Sequence, residues 1–133
     1  MRVAELMTSD VRGVRDDEPI AQAVLTMADA HVSGLPVLDR RGRLVGVLST
    51  TDLLEAEAET DTAEAREQLF SDTPVRELMT PKPITIGPDE DARQAAQMML
   101  YGGVHRVFVE QDGELVGVIT QSDIVRAVAG RHV

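Results

Sequence analysis

The sequence predicts a mixed α/β fold (α+β) built from two copies of one βαββα unit. The stretches Val104–Asp123 and Ser33–Asp52 share the same order of features: an apolar run, a glycine turn, Leu-Val-Gly-Val, and a hydroxyl residue three places before an aspartate. In both copies a segment with helical spacing precedes these paired β-branched runs. A two-fold internal repeat of this kind predicts a pseudo-symmetric structure in which the copies pair to bury their sheets.

The repeat has a defined register along the chain. Segment 3–8, Val-Ala-Glu-Leu-Met-Thr, matches segment 75–80, Val-Arg-Glu-Leu-Met-Thr, at an offset of 72. From about Glu18 onward we expect an offset of 71, which aligns the two Leu-Val-Gly-Val segments at 44–47 and 115–118. We assign residues 1–57 to repeat 1, residues 58–73 to an acidic helical linker, and residues 74–133 to repeat 2.

Each copy is predicted to begin with a single helical turn. The turns cover Val3 to Met7 and Val75 to Met79, with the leucine and methionine of each as buried anchors. The second copy then has Pro81 and Pro83, which exclude a helix, and Ile84-Thr85-Ile86, which alternates as a short strand does.

A longer helix is expected next in each copy, from Pro19 to about His31 and from Asp89 to about Gly102. Asp17 and Asp89 are the expected N-caps, because a side-chain carboxylate can accept a free amide of the first turn. The residues expected on the buried stripe are Ala21, Val24, Leu25 and Met27, and in the second copy Ala92, Ala95, Ala96, Met98 and Met99.

A hairpin and a closing helix complete each copy. The predicted strands are Leu35–Leu38 with Leu44–Ser49, and Arg106–Val109 with Leu115–Thr120. The second pair is joined through Asp112-Gly113, a strong hairpin signal. The closing helices start at Asp52 and Asp123, and the segment 55–68 is expected to continue the first of them. The simplest interpretation of segment 55–68 is a solvent-exposed helical face, and the alternative is a docking site for a basic partner.

Composition and charge exclude several functions. The 133 residues contain no cysteine, so no disulfide or thiolate site is possible, and the net charge is −10. Residues 53–73 carry seven acidic side chains against Arg66 alone. An acidic surface with 2% aromatic residues argues against binding to nucleic acid or to an anionic membrane. With no apolar stretch of signal-peptide or membrane-spanning length, a cytoplasmic location is expected.

The hydroxyl-x-x-Asp motifs allow two interpretations. Ser49-x-x-Asp52 and Thr120-x-x-Asp123 each match a capping box, which satisfies free amides at a helix start. A carboxylate at that position, at the edge of a sheet, can also accept two vicinal hydroxyls of a ligand. The residues alone leave both interpretations open.

His105-Arg106 is the other candidate for ligand chemistry. The pair interrupts an apolar run at a strand start, where the alignment places Gly34-Leu35 in the first copy. A guanidinium suits phosphate, and a histidine can add a donor, although adjacent strand residues point to opposite faces. A surface pair without a role is equally compatible with the sequence.

Catalysis and metal binding are not suggested. The histidines have no metal-ligand spacing, and no nucleophile elbow or Walker-type glycine loop occurs. We therefore expect no catalytic residues, no metal and no required cofactor.

These motifs, matched twice, resemble the cystathionine β-synthase (CBS) domain, and the tandem copy resembles a stand-alone Bateman module. The resemblance rests on Val-x-Glu-Leu-Met-Thr, the Leu-Val-Gly-Val hairpin and Ser/Thr-x-x-Asp, and it covers nearly the whole chain. It implies two βαββα units packed sheet to sheet about a pseudo-two-fold axis. Two clefts between them bind AMP, ADP, ATP or S-adenosylmethionine in many members.

The resemblance also implies residues for each cleft. In the family the aspartate holds the ribose, the segment after Met-Thr lines the adenine, and a His-Arg pair meets phosphate in the regulatory γ subunit of AMP-activated protein kinase. The implied first site consists of Thr8, Arg12, Gly13, Val14, His105, Arg106, Thr120 and Asp123. The implied second site, expected to be weaker because Gly34-Leu35 replaces His-Arg, consists of Gly34, Leu35, Ser49, Asp52, Thr80, Ile84 and Thr85.

The expected function is regulatory ligand sensing without catalysis. The resemblance implies a homodimer and an adenosine-type ligand, and it leaves room for an unknown protein target. The alternative is a structural or interaction module that binds no nucleotide and docks a protein partner.

Overall fold

The computed structural model describes residues 1–131, and it divides into two compact units. The first-repeat unit is Arg12–Pro83. The second-repeat unit is Met1–Val11 together with the chain from Ile84 onward. Each unit has one small sheet with helices, so the predicted mixed α/β class is confirmed.

The first-repeat unit contains a four-stranded sheet in the order β1-β2-β3-β4. The strands β1 and β2 are parallel, as a crossover through a helix requires, and β2 with β3 and β3 with β4 are antiparallel. Its elements are β1 (Val14–Arg15), α2 (Ile20–Ala30), β2 (Gly34–Leu38), β3 (Leu44–Ser49), α3 (Thr50–Ala58), α4 (Ala63–Asp72), α5 (Val75–Leu78) and β4 (Thr80–Pro81).

The second-repeat unit contains a three-stranded sheet in the order β5-β6-β7. The strands β5 and β6 are parallel and β6 with β7 are antiparallel. The hairpin turns at Asp112 (φ 54°) and Gly113 (φ 84°), the left-handed pair of a type I′ turn that the Asp-Gly signal predicts. Its elements are α1 (Val3–Leu6), β5 (Thr85–Ile86), α6 (Ala92–Gly102), β6 (Arg106–Gln111), β7 (Glu114–Thr120) and α7 (Gln121–Arg131).

The opening turn of each repeat packs in the unit formed by the other repeat. In the second-repeat unit, the Val3 amide donates to the Glu90 carbonyl (2.8 Å) and the side chain of Val3 is fully buried. In the first-repeat unit, the Val75 amide donates to the Glu18 carbonyl (2.8 Å), and Val75 is also fully buried. The valines are therefore the buried anchors, whereas the predicted leucines and methionines are only partly buried. The opening segment of each sequence repeat thus belongs to the structural unit of the other repeat.

The predicted offset of 71 is wrong from the long helix of each repeat through the first strand of its hairpin, where the structure has an offset of 72. The buried residues of α2 are Ile20, Ala23 and Met27, and those of α6 are Ala92, Ala95 and Met99, all at an offset of 72. The offset falls to 71 only beyond the hairpin turn, since Leu38 pairs with Leu44 but Glu110 pairs with Leu115. The extra residue of the first copy lies in its turn. Consequently Leu25, predicted on the buried stripe, is 59% exposed.

The predicted N-caps are also wrong by two residues. The structure starts the helices after Pro19 and Asp91, and Asp91 accepts the Arg93 amide at 2.9 Å. The amide of Ile20 donates instead to the Thr73 carbonyl at 3.0 Å. Asp17 is engaged by Arg15 at 2.9 Å. A carbonyl from the segment before α5 therefore replaces the expected side-chain cap.

The acidic segment forms two helices instead of one. Helix α3 ends at Ala58, and Thr62 starts α4 by accepting the Ala65 amide at 3.0 Å. Helix α4 has no buried residues, although Phe70 packs against the core of its unit. A threonine N-cap thus breaks the predicted continuous helix. Among residues 1–131, no helix is long and apolar enough to cross a membrane.

Candidate functional site

The first candidate site lies in the second-repeat unit, where β7 ends and α7 begins. The amide and the Oγ1 hydroxyl of Thr120 lie 2.8 and 3.0 Å from Asp123 Oδ2. The amide of Asp123 donates back to Thr120 Oγ1 at 3.3 Å. This is the predicted capping box, and it leaves the Asp123 side chain 4% exposed. One carboxylate oxygen is therefore committed to the helix start.

The other oxygen of Asp123 is also occupied. Arg126, three residues further along α7, donates from Nη2 to Asp123 Oδ1 in an ion pair. The two side chains differ in environment, since that of Arg126 is 71% exposed and that of Asp123 is buried. Arg126 thus covers the carboxylate oxygen that the capping box leaves available.

Arg106 lies beside this helix start. It begins β6 and pairs with Thr120 in the antiparallel register. The side chain is half-buried, and this desolvation lowers the pKa of the guanidinium, which stays charged at neutral pH. His105 is exposed and precedes the strand, and its carbonyl accepts the Gln121 amide at 3.1 Å. Arg106 is therefore the partly buried cation at this end of the hairpin.

Thr8 lies on the opposite edge of β7 from β6. Its amide donates to the Val118 carbonyl and its carbonyl accepts the Val118 amide, both at 2.9 Å. The second-repeat unit thus brings Thr8, Arg106, Thr120 and Asp123 to one end of its sheet. The other implied residues of the first site, Arg12, Gly13 and Val14, belong to the first-repeat unit. There Val14 is buried in the core, opposite Val37 of β2.

The first-repeat unit repeats the capping box with a different outer contact. Asp52 Oδ2 lies 2.8 Å from the Ser49 amide and 3.0 Å from its hydroxyl. Its Oδ1 accepts the Thr80 hydroxyl at 3.2 Å. The equivalent of Arg126 is Glu55, which is exposed and reverses the charge.

The predicted alignment of Gly34-Leu35 with His105-Arg106 is wrong by one residue. Gly34 pairs with Ser49 as Arg106 pairs with Thr120, so Gly34 and not Leu35 is the equivalent of Arg106. Leu35 is 1% exposed and belongs to the core, because its counterpart is the buried Val107. Of the remaining implied residues, Ile84 and Thr85 lie in the second-repeat unit, where Thr85 pairs with Phe108.

Sequence reasoning missed Arg126 and a cavity beside it. Asp123 and Arg126 line a cavity of about 570 Å³ in the second-repeat unit. Its other lining residues are Met1, Glu5, Leu6, Ala127 and Gly130. Arg126 follows Asp123 at the (i, i+3) spacing of neighbours on a helix, so its contact could have been expected from the sequence.

No cluster of potential metal ligands occurs within the described part of the chain. His132, one of the three histidines considered at the sequence level, lies outside the described residues.

Comparison with known proteins places the chain among proteins of this architecture. A family model for the CBS domain matches residues 3–59 and 75–130. The CBS domain-containing protein CBSX1, chloroplastic, of Arabidopsis thaliana is 30% identical over a region that covers 94% of this chain and 63% of the relative. The chain therefore spans less than two-thirds of that relative's length.

Two solved structures share the fold across nearly all of the chain. The crystal structure of CBSX2 in complex with AMP is 30% identical and has a TM-score of 0.83. The match covers 99% of this chain and 98% of the CBSX2 chain. The CBS domain of a CBS domain containing membrane protein from Sphaerobacter thermophilus is 28% identical with a TM-score of 0.79. The match covers 95% of this chain and 86% of the Sphaerobacter thermophilus chain.

Proposed function

The chain belongs to the CBS domain family, and on that basis we propose that it is a non-enzymatic regulatory module that binds an adenosine nucleotide or a related adenosyl ligand. The observation that carries the proposal is the position of the half-buried Arg106 directly across the hairpin from Thr120, whose capping box holds the buried Asp123. A cation and a carboxylate at one sheet end match a ligand that has both an anionic phosphate and a pair of hydroxyls. The likeness to CBSX2, solved with AMP, supports the adenosine class.

Each residue has a proposed role in this site. Asp123 Oδ1 accepts the ribose hydroxyls, while its Oδ2 keeps the helix start in place. The Arg106 guanidinium binds phosphate, with the exposed His105 as a second donor. Thr120 orients Asp123, and Thr8 flanks the site from the other edge of β7.

The two units are proposed to bind unequally. The first-repeat unit has Gly34 in place of Arg106 and Glu55 in place of Arg126. It therefore lacks both guanidinium groups and has a carboxylate where the other unit has a cation. An anionic ligand is disfavoured there, so the tighter nucleotide site is the one around Asp123.

Calorimetric titration of AMP and adenosine into the wild type and Arg106→Gln tests the phosphate contact. We expect AMP affinity to fall more than tenfold in Arg106→Gln, because a charge-assisted contact of about 1.5–3 kcal/mol is lost. Adenosine affinity should change less than about threefold, since this ligand has no phosphate. Arg43→Gln, which changes an exposed arginine in the other hairpin, is the control and should leave both affinities unchanged.

Calorimetric titration of the wild type with AMP, ADP, ATP and S-adenosylmethionine separates the proposal from its alternative. If the wild type gives no saturable heat with AMP, ADP, ATP or S-adenosylmethionine, nucleotide sensing is rejected in favour of a module that docks a protein partner.

The proposal includes a homodimer, supported by exposed apolar residues on helices, of which Leu54 and Val125 are at equivalent positions in the two units. Leu54 on α3 and Val125 on α7 are 63% and 64% exposed. Leu100 and Tyr101 at the end of α6 are 75% and 83% exposed. Apolar side chains exposed on helix faces favour association of two copies.

Light scattering coupled to size exclusion should report a dimer that the double variant Leu54→Glu/Val125→Glu weakens at least tenfold. The introduced carboxylates would have to be desolvated in the interface. Arg41→Glu, a charge change in the exposed hairpin, should leave the dimer intact. A wild-type mass of one chain at micromolar concentration rejects the homodimer.

A further inference from the structure

Arg126 occupies the carboxylate oxygen that a ribose would need. Its Nη2 donates to Asp123 Oδ1, while Oδ2 is held by the amide and hydroxyl of Thr120. A buried carboxylate with both oxygens engaged cannot accept two vicinal hydroxyls at full strength unless one partner leaves. The partner able to leave is Arg126, because its side chain is 71% exposed.

We propose that Arg126 is a specificity-determining residue that makes the Asp123 site select phosphorylated over uncharged adenosine ligands. In the free protein Arg126 covers Asp123 Oδ1 and competes with ribose hydroxyls. A phosphorylated ligand compensates for this displacement, because the released guanidinium can form paired hydrogen bonds with the phosphate oxygens. Adenosine offers no such acceptor, so it displaces Arg126 without compensation. This inference rests on the proposed adenosine site.

The surroundings of Arg126 support an arginine that moves with the ligand. Arg126 and Asp123 line the same cavity, so the freed side chain remains beside a ligand bound at Asp123. Glu5, on the same cavity wall, is a carboxylate that repels phosphate, which increases the need for a neighbouring cation. The other unit provides the contrast, since Asp52 Oδ1 meets the neutral Thr80 hydroxyl and position 55 is glutamate.

The test measures the ratio of AMP to adenosine affinity by calorimetry in the wild type, Arg126→Gln, Arg126→Lys and Glu55→Gln. For Arg126→Gln we expect adenosine to bind more tightly and AMP more weakly, so that the ratio falls about tenfold or more. Arg126→Lys keeps the charge without the planar fork and should retain part of the preference. Glu55→Gln changes the equivalent position of the other unit and should leave the ratio at the Asp123 site, the tighter binding event, unchanged. Thermal melting checks that each variant is folded.

The outcomes separate this inference from the proposed function. If Arg126→Gln binds both ligands with the wild-type affinities, the selectivity role is rejected while nucleotide binding stands. If it weakens adenosine and AMP equally, Arg126 only positions Asp123, which also rejects the inference. If the wild type binds neither ligand, the proposed function itself fails and the inference fails with it.

Discussion

Replacing Asp123 with alanine should weaken the strongest AMP binding event more than tenfold. The proposed ribose contact is a charge-assisted hydrogen bond from a side chain that is 4% exposed, where water competes poorly. Losing such a contact costs about 1.5–3 kcal/mol. Calorimetry with AMP measures the change directly.

The control for Asp123→Ala is Asp52→Ala, which removes the matching capping-box carboxylate in the other unit. Both variants lose bonds from the preceding hydroxyl residue and its amide. Both should therefore lose about 1 kcal/mol of folding stability in urea unfolding. Only Asp123→Ala should affect the strongest AMP binding. If Asp52→Ala weakens that event and Asp123→Ala does not, the two sites have been assigned in the wrong order.

The features that the sequence predicted well are local ones. A hydroxyl residue three places before an aspartate specifies its own hydrogen bonds, so both capping boxes occur as predicted. The Asp112-Gly113 turn is equally local, since only those two backbone conformations must suit the residues.

The predicted alignment of the helices was wrong because it matched residues of identical type. It should have matched the positions that are buried in each helix. An offset of 71 aligns Met27 with Met98, but the core requires Met27 to match Met99. Burial at the helix spacing, with Ile20, Ala23 and Met27 three and four residues apart, contained the correct register. The same slip paired Arg106 with the buried Leu35 instead of Gly34.

The exchange of the opening segments could not be predicted from periodicity. Segments 3–8 and 75–80 are nearly identical, so each fits either unit equally well by its own pattern. Their placement depends on long-range backbone contacts, such as the Thr8 amide with the Val118 carbonyl at 2.9 Å. Local propensity carries no information about such pairing.

Replacing Gly117 with alanine should destabilise the protein by about 2 kcal/mol, because the chain packs directly on this glycine. A Cβ atom at Gly117 would lie 2.6 Å from Met7 Sδ and 2.9 Å from the Thr8 carbonyl oxygen. The backbone oxygen cannot rotate away, so β7 and the Met7–Thr8 segment must separate. Overpacking of this kind typically costs 1–3 kcal/mol. Urea unfolding of the variant measures the loss.

Gly46→Ala should have a similar effect in the other unit, since its Cβ would lie 2.5 Å from Met79 Sδ and 2.9 Å from the Thr80 carbonyl oxygen. Gly130→Ala is the control. Apart from its chain neighbours and the nearby backbone of α7, no atom of the described residues lies within 4 Å of a Cβ there. Because alanine also favours a helix over glycine, this variant should be neutral or slightly stabilised.

Combining Gly117→Ala with a methionine truncation tests which segment packs on β7. Met7→Ala removes the sulfur that the new Cβ meets. The double variant should therefore lose less stability than the sum of the losses in the two single variants, with a coupling of about 1 kcal/mol. Met79→Ala should be additive with Gly117→Ala, because Met79 packs on Gly46 in the other unit. Two separate sequence repeats, each folding on its own opening turn, would give the opposite result: coupling of Gly117 with Met79 and additivity with Met7. The pattern of coupling therefore decides whether the opening segments are exchanged, independently of any ligand.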